Sequence, residues 1–153
     1  MYTRFAALLL SLSSVLVALP LPGRAELPPW VYGAEQRQAP LQLELRVLRV
    51  QTLPGPPQAQ LELQARVLAV RRQGQGAALR PGDSIRVRYP LPPLRPSGWV
   101  GPAPLPLLRA GEQRPAWLAP DPALPGIYRP AAGGRSFGPS LEDVAEPPAQ
   151  SLR

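Results

Sequence analysis

Apolar side chains alternate with polar ones at Leu41, Leu43, Leu45 and Val47, and again at Leu61, Leu63, Ala65 and Val67. At about 180° per residue each foursome shares one face, whereas at about 100° per residue the six apolar positions between 41 and 50 would point all around a cylinder. Residues 41–53 and 59–72 therefore read as β-strands, despite good helix formers among them. In both, the alternation slips at the same place. "LRVLRV" (45–50) and "ARVLAV" (65–70) each set two apolar residues side by side, Val47-Leu48 and Val67-Leu68. One extra residue in a strand, a β-bulge, returns the residues after such a slip to the inner face. The alternative is that Leu48 and Leu68 simply face outward, as single exposed leucines do. Bulges at corresponding points of two neighbouring strands bend both, and bent strands let a small sheet close into a barrel.

"PGPP" (54–57) supplies a turn between these strands, which makes a hairpin the simplest connection. "RPGD" (80–83) carries Pro and Gly where a type II turn wants them, and "SIRVRY" (84–89) follows as a third strand with Ile85, Val87 and Tyr89 inward. From 90 to 130, twelve of 41 residues are proline. Proline has no N–H to give a ladder and fixes φ, so the remaining strands must be short, at an edge or interrupted. The candidates are "PLPLL" (104–108), "PAWLA" (115–119) and "GIYRP" (126–130). "PLPPLR" (90–95) matches a polyproline ligand motif, and the segment reads more simply as a stiff surface crossing.

The N-terminus has a different character. "MYTR" precedes the apolar run "FAALLLSLSSVLVAL", and Gly23-Arg24-Ala25 ends it on a small-x-small pattern, the layout of a secretory signal peptide spanning 1–25. Pro20 and Pro22 stop the run short of the ~20 residues that a membrane span requires. The remaining 128 residues carry 15 Arg against 10 Asp and Glu, a net of +5 where the full chain has +7. Residues 26–40 then form a lead-in segment with Trp30 and Tyr32 as anchors, 41–138 the β domain, and 139–153 a disordered tail. The expected product is exported, periplasmic or secreted, without a membrane span after cleavage.

Composition also restricts the chemistry. The chain has no Cys, no His and no Lys, which removes disulfides, zinc-thiolate sites, Ser-His and Cys-His nucleophiles and Schiff-base lysines. The remaining carboxylates are scattered or sit in turns. Asp83 and Asp121 occupy turn contexts, and Glu142-Asp143 lie in the tail. No cofactor or metal is expected, and the chain reads as a non-catalytic binding or scaffolding module. Two constellations are candidates for its ligand. Trp99 and Trp117 beside Arg135 and Ser136 of "GGRSF" (133–137) offer aromatic surface, a cation and Gly backbone N–H groups to a peptide or glycan. The alternative for this group is a closing turn before Phe137, with both tryptophans as core or cover residues. On the outward face of the strands, Arg46, Arg66, Arg86 and Arg88 form a stripe suited to a polyanion such as an acidic glycan or lipopolysaccharide. Glu44 and Glu62 share that face and compete for the same cations. Export argues against nucleic acid, so the expected partner is an envelope or extracellular protein or glycan.

Taken together, "ARVLAVRR", "LRPGDSIRVRY", "PLLRAGEQRPAWL" and the last aromatic strand resemble the barrel core of OB-like, netrin-type domains over roughly 41–130. The resemblance implies a mostly β fold, a small OB-like barrel or strongly coiled antiparallel sheet of about five strands with Pro-rich loops. Tissue-inhibitor-type members of that group use a cysteine-framed N-terminal segment against proteases. This chain has no Cys, so that activity is not implied. "GIYRPAAGGRSF" is similar to the ending of small exported bacterial proteins without an assigned role.

Overall fold

The computed structural model describes residues 26–76, 78–94 and 101–148; the expected leader, Trp99 and the end of the tail lie outside them. Among the described residues there are five strands, β1 (Leu41–Leu53), β2 (Gln60–Gln73), β3 (Ser84–Pro90), β4 (Gln113–Pro120) and β5 (Ile127–Pro130). They close a barrel in the order β1-β2-β3-β5-β4, with β4 pairing back onto β1. Every neighbouring pair is antiparallel except β3 and β5. The fold is thus mostly β, and its closure is consistent with the OB-like barrel that the resemblance implied.

The alternation in β1 to β3 fills the interior. Leu41, Leu43, Leu45 and Val47 meet Leu61, Leu63, Ala65 and Val67, then Ile85, Val87 and Tyr89, with Ala116 and Leu118 from β4, in one buried cluster. The repeated slip is resolved by bulges. Val47 opposes Ala65 and Arg49 opposes Gln64, so Leu48 has no partner between them; Leu45 opposes Val67 and Glu44 opposes Ala69, so Leu68 has none either. After each extra residue the next apolar side chain returns inward, and Val50 and Val70 both pack against the core. Leu48 and Leu68 themselves remain outside, 37% and 38% exposed. Because the strands run antiparallel, the two bulges lie on opposite sides of one rung, Arg46 opposite Arg66, which is the centre of the repeat.

Three expectations need correction. "PLPLL" joins no strand ladder; Pro104 and Pro106 cannot donate, and the segment instead covers one part of the barrel with Leu108 buried, Leu105 packed on the core and the Tyr89 hydroxyl donating to the Pro106 carbonyl at 2.8 Å. The lead-in segment contains a helix, α1 (Pro29–Gln38). Proline is tolerated at its first turn, where the N–H has no intrahelical partner, and Pro40 holds Ala39 extended and ends it. Tyr32 is buried on it as an anchor. Finally, the segment from 139, expected to trail away as disordered, docks on α1 over its first residues. The fully buried Gln36 side chain donates to the Arg135 carbonyl at 3.0 Å and the Pro139 carbonyl at 3.2 Å, and accepts from the Leu141 N–H at 2.6 Å. Arg72 of β2 completes the junction, donating to the Gln36 carbonyl in the last helical turn at 2.6 Å and pairing with Glu142 at 2.9 Å.

Two glycines allow this assembly. A Cβ on Gly134 would lie 2.0 Å from the Ala103 carbonyl oxygen, and one on Gly33 would lie 2.2 Å from that of Leu141. Both positions are places where a second backbone passes too closely for any side chain.

Candidate polyanion-binding face

The fold brings Trp117 and Ser136 of the first constellation together but buries both. Trp117 points out of the barrel from β4 yet is only 1% exposed, covered by Ala39, Ala131 and Ala132. The cover is held by the Trp117 N–H donating to the Ser136 carbonyl and its carbonyl accepting from the Ala131 N–H. Ser136 is fully buried; its Oγ accepts from the Ala132 N–H and donates to the Gly133 carbonyl, each at 2.8 Å. Of the "GGRSF" N–H groups, those of Arg135 and Ser136 are used inside a single 3₁₀ turn (Gly133–Arg135), donating to the Ala132 and Gly133 carbonyls. Phe137 then enters the core, 5.8 Å from the Tyr89 ring. Of the described members, Trp117, Arg135 and Ser136, only Arg135 reaches solvent. It lies over the Tyr32 ring at 5.9 Å and 3.5 Å from Glu26, at the wall of a groove lined also by Leu27, Pro29 and Leu141. Trp99 lies outside the described residues.

The second constellation stays together on the outer face of β1, β2 and β3. Register arranges it in three rungs. The first is Arg46–Arg66–Ser84, the second Arg49–Gln64–Arg86, and the third Gln51–Glu62–Arg88. The third rung is closed on itself. Glu62, 8% exposed, accepts from Arg88 at 2.5 and 3.2 Å and from Gln51 at 3.0 Å. The Arg88 hydrogen bond holds its carboxyl below the usual carboxylate range, outweighing the opposing effect of burial, with the Gln51 bond and the Arg86 charge adding to it. Arg88 is therefore committed to Glu62 and leaves the stripe predicted from sequence. Glu44, the other competitor, lies 3.9 Å from Arg71 rather than beside Arg46 or Arg66.

Four arginines remain. Arg46, Arg49, Arg66 and Arg86 are exposed, and none forms an ion pair among the described residues. With strands ~4.8 Å apart and successive outward rungs ~7 Å apart, they share a patch of roughly 10 by 7 Å. Arg49 and Arg86 stand on either side of a shallow pit of about 120 Å³ lined also by Gln51, Glu62 and Gln64. Arg49 was not singled out from the sequence. Its signal was the phase slip, because the extra residue at Leu48 is what sets Arg49 on the same side as Arg46. Among the described residues no three acidic side chains converge to hold a metal. No family model matches the chain, and no curated protein matches its sequence.

Proposed function

We propose that the chain is an exported, non-catalytic binding module that holds a polyanion of the envelope, an acidic glycan or lipopolysaccharide, on the outer face of β1 to β3. One observation carries the reading: Arg46 and Arg66 are directly opposed across the central rung of the β1–β2 hairpin, with no carboxylate paired to either among the described residues. Like charges set opposite one another destabilise a sheet. An anion placed over the rung converts that repulsion into two favourable contacts, and guanidinium forks match phosphate, sulfate or carboxylate oxygens in pairs. The two arginines of the next rung extend the field, so a polymer with repeated charges gains more than a single ion does.

Retention on immobilised dextran sulfate tests this. With four arginines engaged, affinity should fall roughly a hundredfold between 50 and 200 mM salt, by analogy with counterion release from other polyanions. The triple variant R46Q/R66Q/R86Q should lose retention at the lower salt. Retention indifferent to salt, or intact in the triple variant, would remove the proposal.

A further inference from the structure

We infer that the anion recognised by this face is carried on a lipid, so that the β1–β2 hairpin seats against an anionic membrane surface. This rests on the polyanion reading and names the partner of the same site. The added observation is the placement of the bulge leucines. Each follows its arginine by two residues, Leu48 after Arg46 and Leu68 after Arg66, and the antiparallel register sends them to opposite ends of the rung. The outer face therefore reads leucine, paired arginines, leucine along ~12 Å of hairpin. Both leucines stand 37–38% exposed on the side of the sheet away from the core.

A soluble polymer of charges has nothing to offer these two apolar tips. A bilayer with anionic headgroups offers both partners at the right relative depth: phosphates at the surface for guanidiniums, and the acyl boundary just beneath for leucines. Arginine suits the arrangement because its aliphatic stem lies along apolar surface while its head stays at phosphate level. The carboxylates nearest the stripe are already engaged and need not be displaced: Glu62 with Arg88, Glu44 near Arg71, and Asp83 with the Arg80 N–H at 2.7 Å. No helix among the described residues is long and apolar enough to cross a membrane, and contact through this face requires none.

The test compares the full chain with two double variants, L48Q/L68Q and R46Q/R66Q, on phosphatidylglycerol-containing vesicles and on dextran sulfate. Neutral phosphatidylcholine vesicles measured in parallel give the baseline due to the apolar run near the N-terminus. The expected result is that L48Q/L68Q weakens binding to the anionic vesicles roughly 25-fold, about fivefold per leucine for half a side chain transferred, and leaves dextran sulfate binding unchanged. R46Q/R66Q should weaken both. If L48Q/L68Q binds the vesicles as the parent does while R46Q/R66Q loses both ligands, the lipid inference is overturned and the polyanion reading stands. If R46Q/R66Q loses neither, both fall. A Leu48→Trp variant supplies a local readout: its added emission should be quenched by brominated phosphatidylglycerol and untouched by dextran sulfate, and the absence of quenching on bound vesicles would also overturn the inference.

Discussion

Replacing Arg66 by Glu should make this protein more stable and, on the proposed polyanion reading, weaken its retention on dextran sulfate. Arg46 and Arg66 face each other across one rung of β1 and β2. Directly opposed Cβ atoms lie ~5 Å apart. Two exposed guanidiniums that splay from there to ~8 Å repel by ~0.5 kcal/mol in water. At 10 mM salt, where the screening length is ~30 Å, most of this survives, leaving ~0.4 kcal/mol. Arg66→Glu removes that repulsion and replaces it with an attraction of similar size, for a gain of ~0.8 kcal/mol. In a domain of this length the midpoint should rise by ~3 °C. Arg66→Gln should give about half the shift, because it removes the repulsion without adding the attraction. At 1 M salt the screening length is ~3 Å and the gain should vanish. Thermal melts followed by circular dichroism at the two salt concentrations measure all of this. A midpoint for Arg66→Glu at or below the parent's at 10 mM salt would refute the opposed-charge argument. So would a gain that persists at 1 M, which would have to come from packing. Dextran sulfate retention should fall in the same variant, so stability and binding move in opposite directions.

Other consequences follow from the rest of the structure. Glu62→Gln deprives the half-buried Arg88 of its carboxylate and should cost about 1–2 kcal/mol at pH 7, intermediate between exposed and buried pairs. Because the folded-state carboxyl titrates below its unfolded value of ~4.3, the contribution is complete above that pH and is lost as pH falls through the folded value; the difference between parent and variant in urea should shrink as pH falls below ~4.3. Burial pushes the Tyr89 hydroxyl up to about 12, opposed by a hydrogen bond with the Leu108 backbone and helped by the Glu112 charge. One tyrosine should accordingly remain un-ionised near pH 11 in an ultraviolet titration and be missing from Tyr89→Phe, and the stability held by the neutral phenol should fade as pH rises from ~10 through the folded value. Gly134→Ala places a Cβ 2.0 Å from the Ala103 oxygen and must part the two backbones. We expect a loss of at least ~2 kcal/mol, with faster amide exchange around residues 101–104 and α1.

The five-stranded wall was legible wherever the pattern was local. Alternation over 41–47, 61–67 and 84–89 named the inward residues correctly, because a half-buried strand must place an apolar side chain at every second position. The phase slips at Leu48 and Leu68 marked the bulges for the same reason. The helix α1 was not recognised, since "PWVYGAEQRQ" has no apolar stripe of its own; it is held through Gln36 by Arg72, Arg135, Pro139 and Leu141, all distant in sequence. "PLPLL" looked like a strand on composition, and its prolines excluded it from any ladder.

The candidate site divides along the same line. That arginines would line the outer face followed from their place in the alternation. Which of them would be neutralised did not, since that is set by cross-strand register, and each bulge shifts the register by one residue. Register gives Arg88 to Glu62 and Arg46 to Arg66, two outcomes that the same one-dimensional pattern permits equally. Trp117 makes the complementary point. Its position in β4 puts it outside the barrel, and the return of residues 131–136 across that strand, together with Ala39 after α1, buries it. Sequence alone therefore determined which side chains face in and which face out, because that depends on neighbours two residues apart. Tertiary structure decided which outward groups meet a partner, a cover or open water, because those contacts join strands and segments that the chain brings together only on closing.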